Sequence, residues 1–267
     1  MDIIKASGEK EKFNKEKLHN SLKRAGAEPG LAQKISQEVA RSVHPGADTG
    51  KIFNQTFRSL QKASPILAAK YNLKRAIMEL GPTGFPFEKY IAEILKEYGY
   101  NVRVGQQVQG HCVSHEVDII ARKENKHFMI ECKYHNSRGN RSDVKVAMYT
   151  YARFLDVKKF FHQAWLITNT KCTSQAVRYA RCVGLKIISW RYPKNESLEY
   201  LIEKKGLYPI TILPSLNRYA RERLAESKIM LARDLLKYSV NDLARLTGLR
   251  SNAVKNLQKE AKELCGC

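Results

Sequence analysis

The chain has no apolar run of about 18 residues and no leader-like N-terminal segment, so neither a membrane span nor export is expected. Acidic residues are few: 26 Asp and Glu stand against 47 Lys and Arg, a formal charge of +21. Cysteine is sparse, and Cys112, Cys132, Cys172, Cys182, Cys265 and Cys267 are scattered. The last two lie too close together at the end to make a four-ligand metal site alone. Zinc is therefore not expected, and a cytoplasmic chain with reduced thiols is. No G-x-x-x-x-G-K-[ST] loop occurs, so the chain has no evident machinery for hydrolysing a nucleoside triphosphate.

What is present is a 267-residue chain with 43% hydrophobic content, enough for one to three globular domains with substantial cores. The positive charge is spread along it: +7 over residues 1–82, +9 over 83–206 and +5 over 207–267. A uniformly basic chain suits a polyanion. Nucleic acid ranks ahead of a membrane surface, because no lipidation motif or basic amphipathic anchor occurs.

The most informative stretch is VSHEVDIIARKENKHFMIECKY, from Val113 to Tyr134. Two apolar runs joined by KENK predict a β-hairpin of buried strands. Asp118 lies in the first strand, and Glu131 and Lys133 lie two apart in the second, which puts them on one face with Cys132 on the other. Two carboxylates and an ammonium then meet on one side of the hairpin. Hard cations such as Mg²⁺ or Mn²⁺ take carboxylate oxygens, with water and phosphate in the remaining positions. A nearby lysine can orient a water and neutralise charge on the phosphate. Solvent-facing charges on an edge hairpin are the alternative, but the apolar setting weighs against unpaired charges there.

Asp, a twelve-residue gap, then Glu-x-Lys resembles the PD-(D/E)xK nuclease superfamily, with Val117 where the name has Pro. The resemblance implies Asp118 and Glu131 as metal ligands and Lys133 as the catalytic lysine. The helix FEKYIAEILKEYGY precedes the hairpin, and a Glu at its start resembles the first acidic motif of Mrr-type restriction endonucleases, making Glu88 a candidate third carboxylate. Complementing the helix dipole is the other role open to it. His111, His115 and His135 flank the site, more as phosphate contacts or packing groups than as ligands. After the loop HNSRGNR comes a helix capped by Ser142 or Asp143, burying Val146, Tyr149 or Thr150, and Phe154. The strand HQAWLITNT, the helix SQAVRYARCVG and the strand LKIISW complete an α-β-β-β-α-β core like that of the endonucleases, covering about 83–192. Arg138, Arg141 and Lys171 are candidate phosphate contacts.

At the N-terminus, residues 2–6 and 10–13 predict a hairpin turning at Ser7-Gly8, followed by helices over about 15–26, 28–43, 48–62 and 65–80. The strings IIKASGEKEKFNKEKL, DTGKIF and AAKYNLKRAI resemble the ATP-cone, a nucleotide-sensing domain of ribonucleotide reductases. That resemblance implies ATP or dATP contacts at Lys5, Glu11, Asn14, Lys17 and Thr49, and regulation through subunit association in a homo-oligomer. Ala6 stands where the family usually has Arg. GPTGFPF reads as a linker to the next domain.

From Leu207 the chain reads as helical, with two helices around Thr247-Gly248-Leu249 in the manner of a helix-turn-helix or a helix-hairpin-helix. Arg250 and Lys255 on the second helix are candidate DNA contacts, and a structural helical cap is the other reading. The expectation is an α/β chain: an ATP-cone at 1–82, a PD-(D/E)xK (Mrr-like) domain at 83–206 and a helical region at 207–267. Its expected activity is that of a Mg²⁺- or Mn²⁺-dependent DNA endonuclease, a type II/IV restriction-like hydrolase set by ATP or dATP. A nucleotide-responsive DNA-binding regulator that no longer cuts is the rival.

Overall fold

The N-terminal hairpin joins β1 (Asp2–Ile4) to β2 (Lys10–Lys12) with Ile3 opposite Glu11, and Gly8 takes the turn at φ 80°. Its one buried side chain is Ile3. The Asn14 side chain accepts from Lys17 N at 2.9 Å and so starts α1 (Lys15–Arg24), which buries Leu18 and Leu22. Then follow α2 (Pro29–Ser42), α3 (Thr49–Ala63), α4 (Pro65–Tyr71) and α5 (Leu73–Met78). Asp48 caps α3 through Gly50 N at 2.6 Å, and Ser64 caps α4 through Leu67 N. The continuous helix expected over 65–80 is two. At Asn72 the N–H is shared between the carbonyls of Ala68 and Ala69, which closes one turn before α5 begins. Leu18, Leu22, Ala32, Ile35, Val39, Leu60 and Ala68 form one core with Ile3.

The second set of elements begins with α6 (Phe85–Glu97), which takes in three residues read above as linker. Pro86, with its fixed φ and no N–H to satisfy, sits in the first turn. Next come β3 (Asn101–Gln109), β4 (Ser114–Lys123), β5 (Lys126–Lys133), β6 (Arg141–Ser142), α7 (Val144–Val157), β7 (Gln163–Thr168), β8 (Lys171–Cys172), α8 (Ser174–Val183), β9 (Lys186–Ile188) and α9 (Leu198–Lys205). The central sheet has the order β3-β4-β5-β7-β9. Its first three strands are antiparallel, and β5, β7 and β9 are parallel. This is the mixed α/β arrangement with a central sheet that the sequence predicts.

Alternation decides which side of the sheet each residue faces. Met129, Ala164 and Leu166 pack with Ala147, Phe154 and Val157 of α7 and Ala176 and Ala180 of α8. Of the predicted buried face of α7, Phe154 is buried and Val146 is partly buried against the same core, and the choice left open between Tyr149 and Thr150 falls to Thr150. Ala147 and Thr150 are buried, whereas Tyr149 is 62% exposed. Thr150 can be buried because its hydroxyl donates to Val146 O at 2.9 Å. On the other face, Phe128 lies 4.8 Å from Trp165, and α6 contributes Tyr90, Ile91 and Ile94. The Tyr90 hydroxyl donates to Leu207 O and the Tyr98 hydroxyl to Leu201 O, tying α6 to α9 and the segment after it.

The C-terminal elements are α10 (Arg218–Glu226), α11 (Val240–Thr247) and α12 (Ser251–Cys265), with Gly248 at φ 70° between the last two. The structure, a computed structural model, describes residues 1–266, so Cys267, weighed above with Cys265 as a metal ligand, lies outside it. Contacts divide the chain into two units: 1–76 with 210–227 and the residues from Leu235 on, and 77–209 with 228–234. Residues 207–267 are therefore no body of their own. Among the described residues no helix is long and apolar enough to cross a membrane.

Candidate active site

The site grows from the hairpin of β4 and β5. Their ladder runs from Lys123↔Lys126 to Ile119↔Ile130, so Asp118 and Glu131 come next in register. On the other side of β4 the pairing with β3 skips Gly105 and Asp118, and Gly105 has φ 62°. Freed from regular pairing, Asp118 accepts a hydrogen bond on Oδ2 from Cys132 N at 2.7 Å. Glu131 shares its face with Met129, against α7, and there Arg153 Nη1 donates to Glu131 Oε2. Arg153 Nη2 donates to Glu116 O, and both side chains of the ion pair are largely buried. Glu88 enters from the first turn of α6.

These carboxylates raise one another's pKa. Burial and then the charges of Asp118, Glu116 and Glu131 push Glu88 up to about 7. Burial and then Asp118 push Glu131 to about 7 against the pull of Arg153 and Lys133. Burial raises Asp118 as well, opposed by the Cys132 N–H and Arg153. The four residues named from the sequence, Glu88, Asp118, Glu131 and Lys133, thus lie within electrostatic reach in one place. Lys133 is exposed, with the buried Cys132 before it and Tyr134 after it donating to Met78 O and Gly81 O.

The donor set fits a hard cation. It offers only carboxylate oxygens, in a cluster whose repulsion a divalent ion relieves. Among the described residues, Asp118 Oδ1 and Glu131 Oε1 accept no hydrogen bond. Among the same residues no three His, Cys, Asp or Glu side chains form a preformed metal cluster, which a two-carboxylate site completed by water and phosphate does not require.

The histidines have other work. His115 Nε2 lies 2.8 Å from Asp156 Oδ2, and that carboxylate also accepts from Cys112 N and Val113 N, which hold it well below the usual range. His111 N donates to Asp156 O. Together these bonds brace the turn between β3 and β4. His135 Nε2 lies 3.2 Å from Ser142 Oγ, and Asn169 grips both the N–H and the carbonyl of His135. Burial, then Lys133, lowers the His135 pKa.

Of the candidate phosphate contacts, Arg141 and Lys171 are register partners between β6 and β8, and Arg138 is exposed in the loop before them. Arg250 precedes α12 and Lys255 is exposed on it, both in the other unit. The nucleotide candidates gather where the first hairpin meets α1 and α3. Glu11 lies between Lys5, at 3.2 Å, and Lys17, and those two lysines in that reverse order lower its pKa. Asn14 caps α1, and Thr49 follows Asp48, which bridges to Ile4.

A restriction endonuclease family, Mrr_cat, matches residues 82–192, and the AF1548-like C-terminal family matches 208–265. An uncharacterized protein of Archaeoglobus fulgidus is 41% identical over 177 residues, which are 66% of this chain and 100% of that protein. The chain belongs to the AF1548-like family. The crystal structure of the protein of unknown function AF1548 is similar too, at 39% identity and a TM-score of 0.61, covering 69% of this chain and 99% of that one. In this AF1548-like chain the segment matching the endonuclease family holds all the clustered carboxylates and Lys133. It also holds two residues that sequence reasoning missed, Glu116 and Arg153. Glu116 stood in the open as the first acid of SHEVD, two residues before Asp118. Arg153 carried no local signal, because only the packing of α7 on β5 brings it to Glu131.

Proposed function

We propose that this AF1548-like chain is a metal-dependent DNA endonuclease. The observation that supports it most is the convergence of Glu88, Asp118, Glu131 and Lys133 within the segment that matches a restriction endonuclease family. Asp118 and Glu131 would hold a hard divalent cation, Mg²⁺ or Mn²⁺, which when bound polarises the phosphate and eases ionisation of the attacking water. Lys133, exposed at the end of β5, lies where it can orient that water and offset the charge that builds on the phosphate. Glu88, with a pKa of about 7, can hold or release a proton near neutrality. Arg138 from its loop and Arg141 and Lys171 from β6 and β8 supply phosphate contacts, as do Arg250 and Lys255 at the start and on the surface of α12.

The grouping of Lys5, Glu11, Asn14, Lys17 and Thr49 supports a regulatory ATP or dATP site. Ligand there acts by favouring one assembly over another, without hydrolysis.

The decisive assay incubates plasmid DNA with the full-length protein and Mg²⁺ or Mn²⁺, with and without ATP and dATP. Cutting is expected from the wild type. Lys133→Ala should abolish it while leaving DNA retention nearly intact, because one cation among 47 contributes little to phosphate binding. Equal cutting by the wild type, Lys133→Ala and Asp118→Asn would assign the activity to a contaminant.

A further inference from the structure

On the face of the sheet that carries Glu131, a cavity of about 390 Å³ opens toward the β4–β5 turn, lined by Asn101, Arg103, Arg122, His127, Phe160 and Phe161. Arg122 and His127 are register partners, and His127 lies four residues from Glu131 on β5, hence on the same side. Arg122 lies four residues from Asp118 on β4, a separation of about 13 Å along the strand.

The lining has the chemistry of a nucleotide. No carboxylate lines it. Among the described residues Arg103 has no hydrogen-bond or ion-pair partner, and Arg122 has only Glu124 O at 3.5 Å, so neither cation is neutralised. Lys159 Nζ, 4.8 Å from the Phe160 ring centroid, adds a third positive charge. Phe160 is a large apolar ring left 44% exposed at the mouth, while Phe161 and Ile120 belong to the core beneath. An aromatic ring beside unneutralised guanidinium groups suits stacking of a base with its phosphate alongside. Asn101 and His127 offer polar groups for base edges. The volume is that of a small-ligand pocket.

We propose that this cavity takes one unpaired nucleotide of the strand being cut, its base on Phe160 and its phosphate on Arg103 and Arg122. A base inside a duplex has both faces covered and cannot enter. The site therefore selects DNA with a single-stranded or unpaired segment next to the scissile phosphate. This rests on the endonuclease reading for its substrate, but the pocket can be tested without cutting.

The test measures fluorescence anisotropy of a labelled single-stranded oligonucleotide and of a blunt-ended duplex of the same length made from two fully complementary strands, with full-length protein in EDTA. The single strand should bind more tightly. Phe160→Ala should weaken single-strand binding between about 5-fold and about 150-fold, the worth of one stacked base, and leave duplex binding unchanged. Arg103→Ala with Arg122→Ala should reduce the slope of log K against log salt for the single strand by about 1.4. Matching melting temperatures will verify that the variants are folded. Equal affinity for the two DNAs, a silent Phe160→Ala, or equal weakening of both would overturn the proposal. Loss confined to the arginine variant marks an anion site only and overturns it as well. If the wild type fails to cut any DNA while Phe160→Ala loses single-strand binding, the endonuclease reading falls and the pocket stands. Intact cutting with a silent Phe160→Ala leaves that reading in place and removes the pocket alone.

Discussion

Glu88→Gln should make the protein more stable at alkaline pH and no more stable at acid pH. The carboxyl of Glu88 moves from an ordinary 4.5 to about 7 on folding. The folded state therefore holds its proton more tightly than the unfolded state. Below about 4.5 both states are protonated and the group contributes nothing; as pH rises toward 7 the unfolded state ionises first, and folding loses stability until the loss levels off above 7. A displacement of that size corresponds to on the order of 3 kcal/mol. Glu88 is partly exposed, and screening leaves about 1 to 2 kcal/mol. In a unit of this size that raises the melting temperature of Glu88→Gln by roughly 2 to 8 °C at pH 8. The assay is thermal melting followed by circular dichroism in EDTA from pH 4.5 to 9, with wild type and variant side by side. A gap that is absent at pH 4.5, opens through pH 6 and is flat above 7.5 is the expected result. A gap of constant height across the range would mean that the amide packs better than the acid, and a gap that widens toward acid pH would reverse the sign and refute the carboxylate repulsion. Adding Mg²⁺ at pH 8 should stabilise the wild type and narrow the difference, since a bound cation relieves the same repulsion.

Arg153→Ala leaves Glu131 without its partner and should cost about 2 kcal/mol at pH 8, with the deficit shrinking toward pH 5 as Glu131 takes up a proton; melts at the two pH values check it. In Gly110→Ala a Cβ would stand 2.1 Å from Asp156 Oδ2 and 2.6 Å from Val113 O, so the braced turn must open. A loss of about 2 kcal/mol in urea unfolding is expected, and an unchanged midpoint would show that the turn yields freely. Lys5→Ala combined with Lys17→Ala should remove any change in assembly or cutting rate caused by ATP or dATP, read by light scattering and plasmid cleavage. If neither nucleotide at millimolar concentration affects the wild type, the sensing role is wrong, and Ala6 is the residue to examine first.

Much of the site could be read from the chain because strand geometry is local. Glu131 and Lys133, two apart in an apolar strand, had to share a face, and Asp118 faced them once the KENK turn closed the hairpin. Glu88 was legible for a similar reason, at the head of a helix with a clear apolar stripe. Arg153 was not legible, since its position depends on how α7 lies on the sheet. The stripe on α7 left Tyr149 and Thr150 undecided for the same reason: small Ala147 and self-bonded Thr150 fill the interface, whereas the larger Tyr149 faces solvent. α9 went unread although its signals were present, a Ser197 cap accepting from Tyr200 N and Gly206 at its end with φ 62°. The apolar residues that its polar run ESLEYLIEKK buries are only Leu198 and Ile202, too few to outweigh the charges around them.

The bond from Cys132 N to Asp118 Oδ2 makes a proposed metal ligand part of the hairpin's own hydrogen bonding. Replacing Asp118 by Ala strips an acceptor from a partly buried N–H, a penalty of about 1 to 3 kcal/mol, whereas Asn keeps one. Lys133 is exposed and carries no such burden. A descendant of this protein released from the need to cut would therefore shed Lys133 freely and hold on to Asp118 for the sake of folding. In this hairpin the acid at 118 answers to folding as well as to the proposed chemistry, whereas the lysine at the end of β5 answers to the proposed chemistry alone.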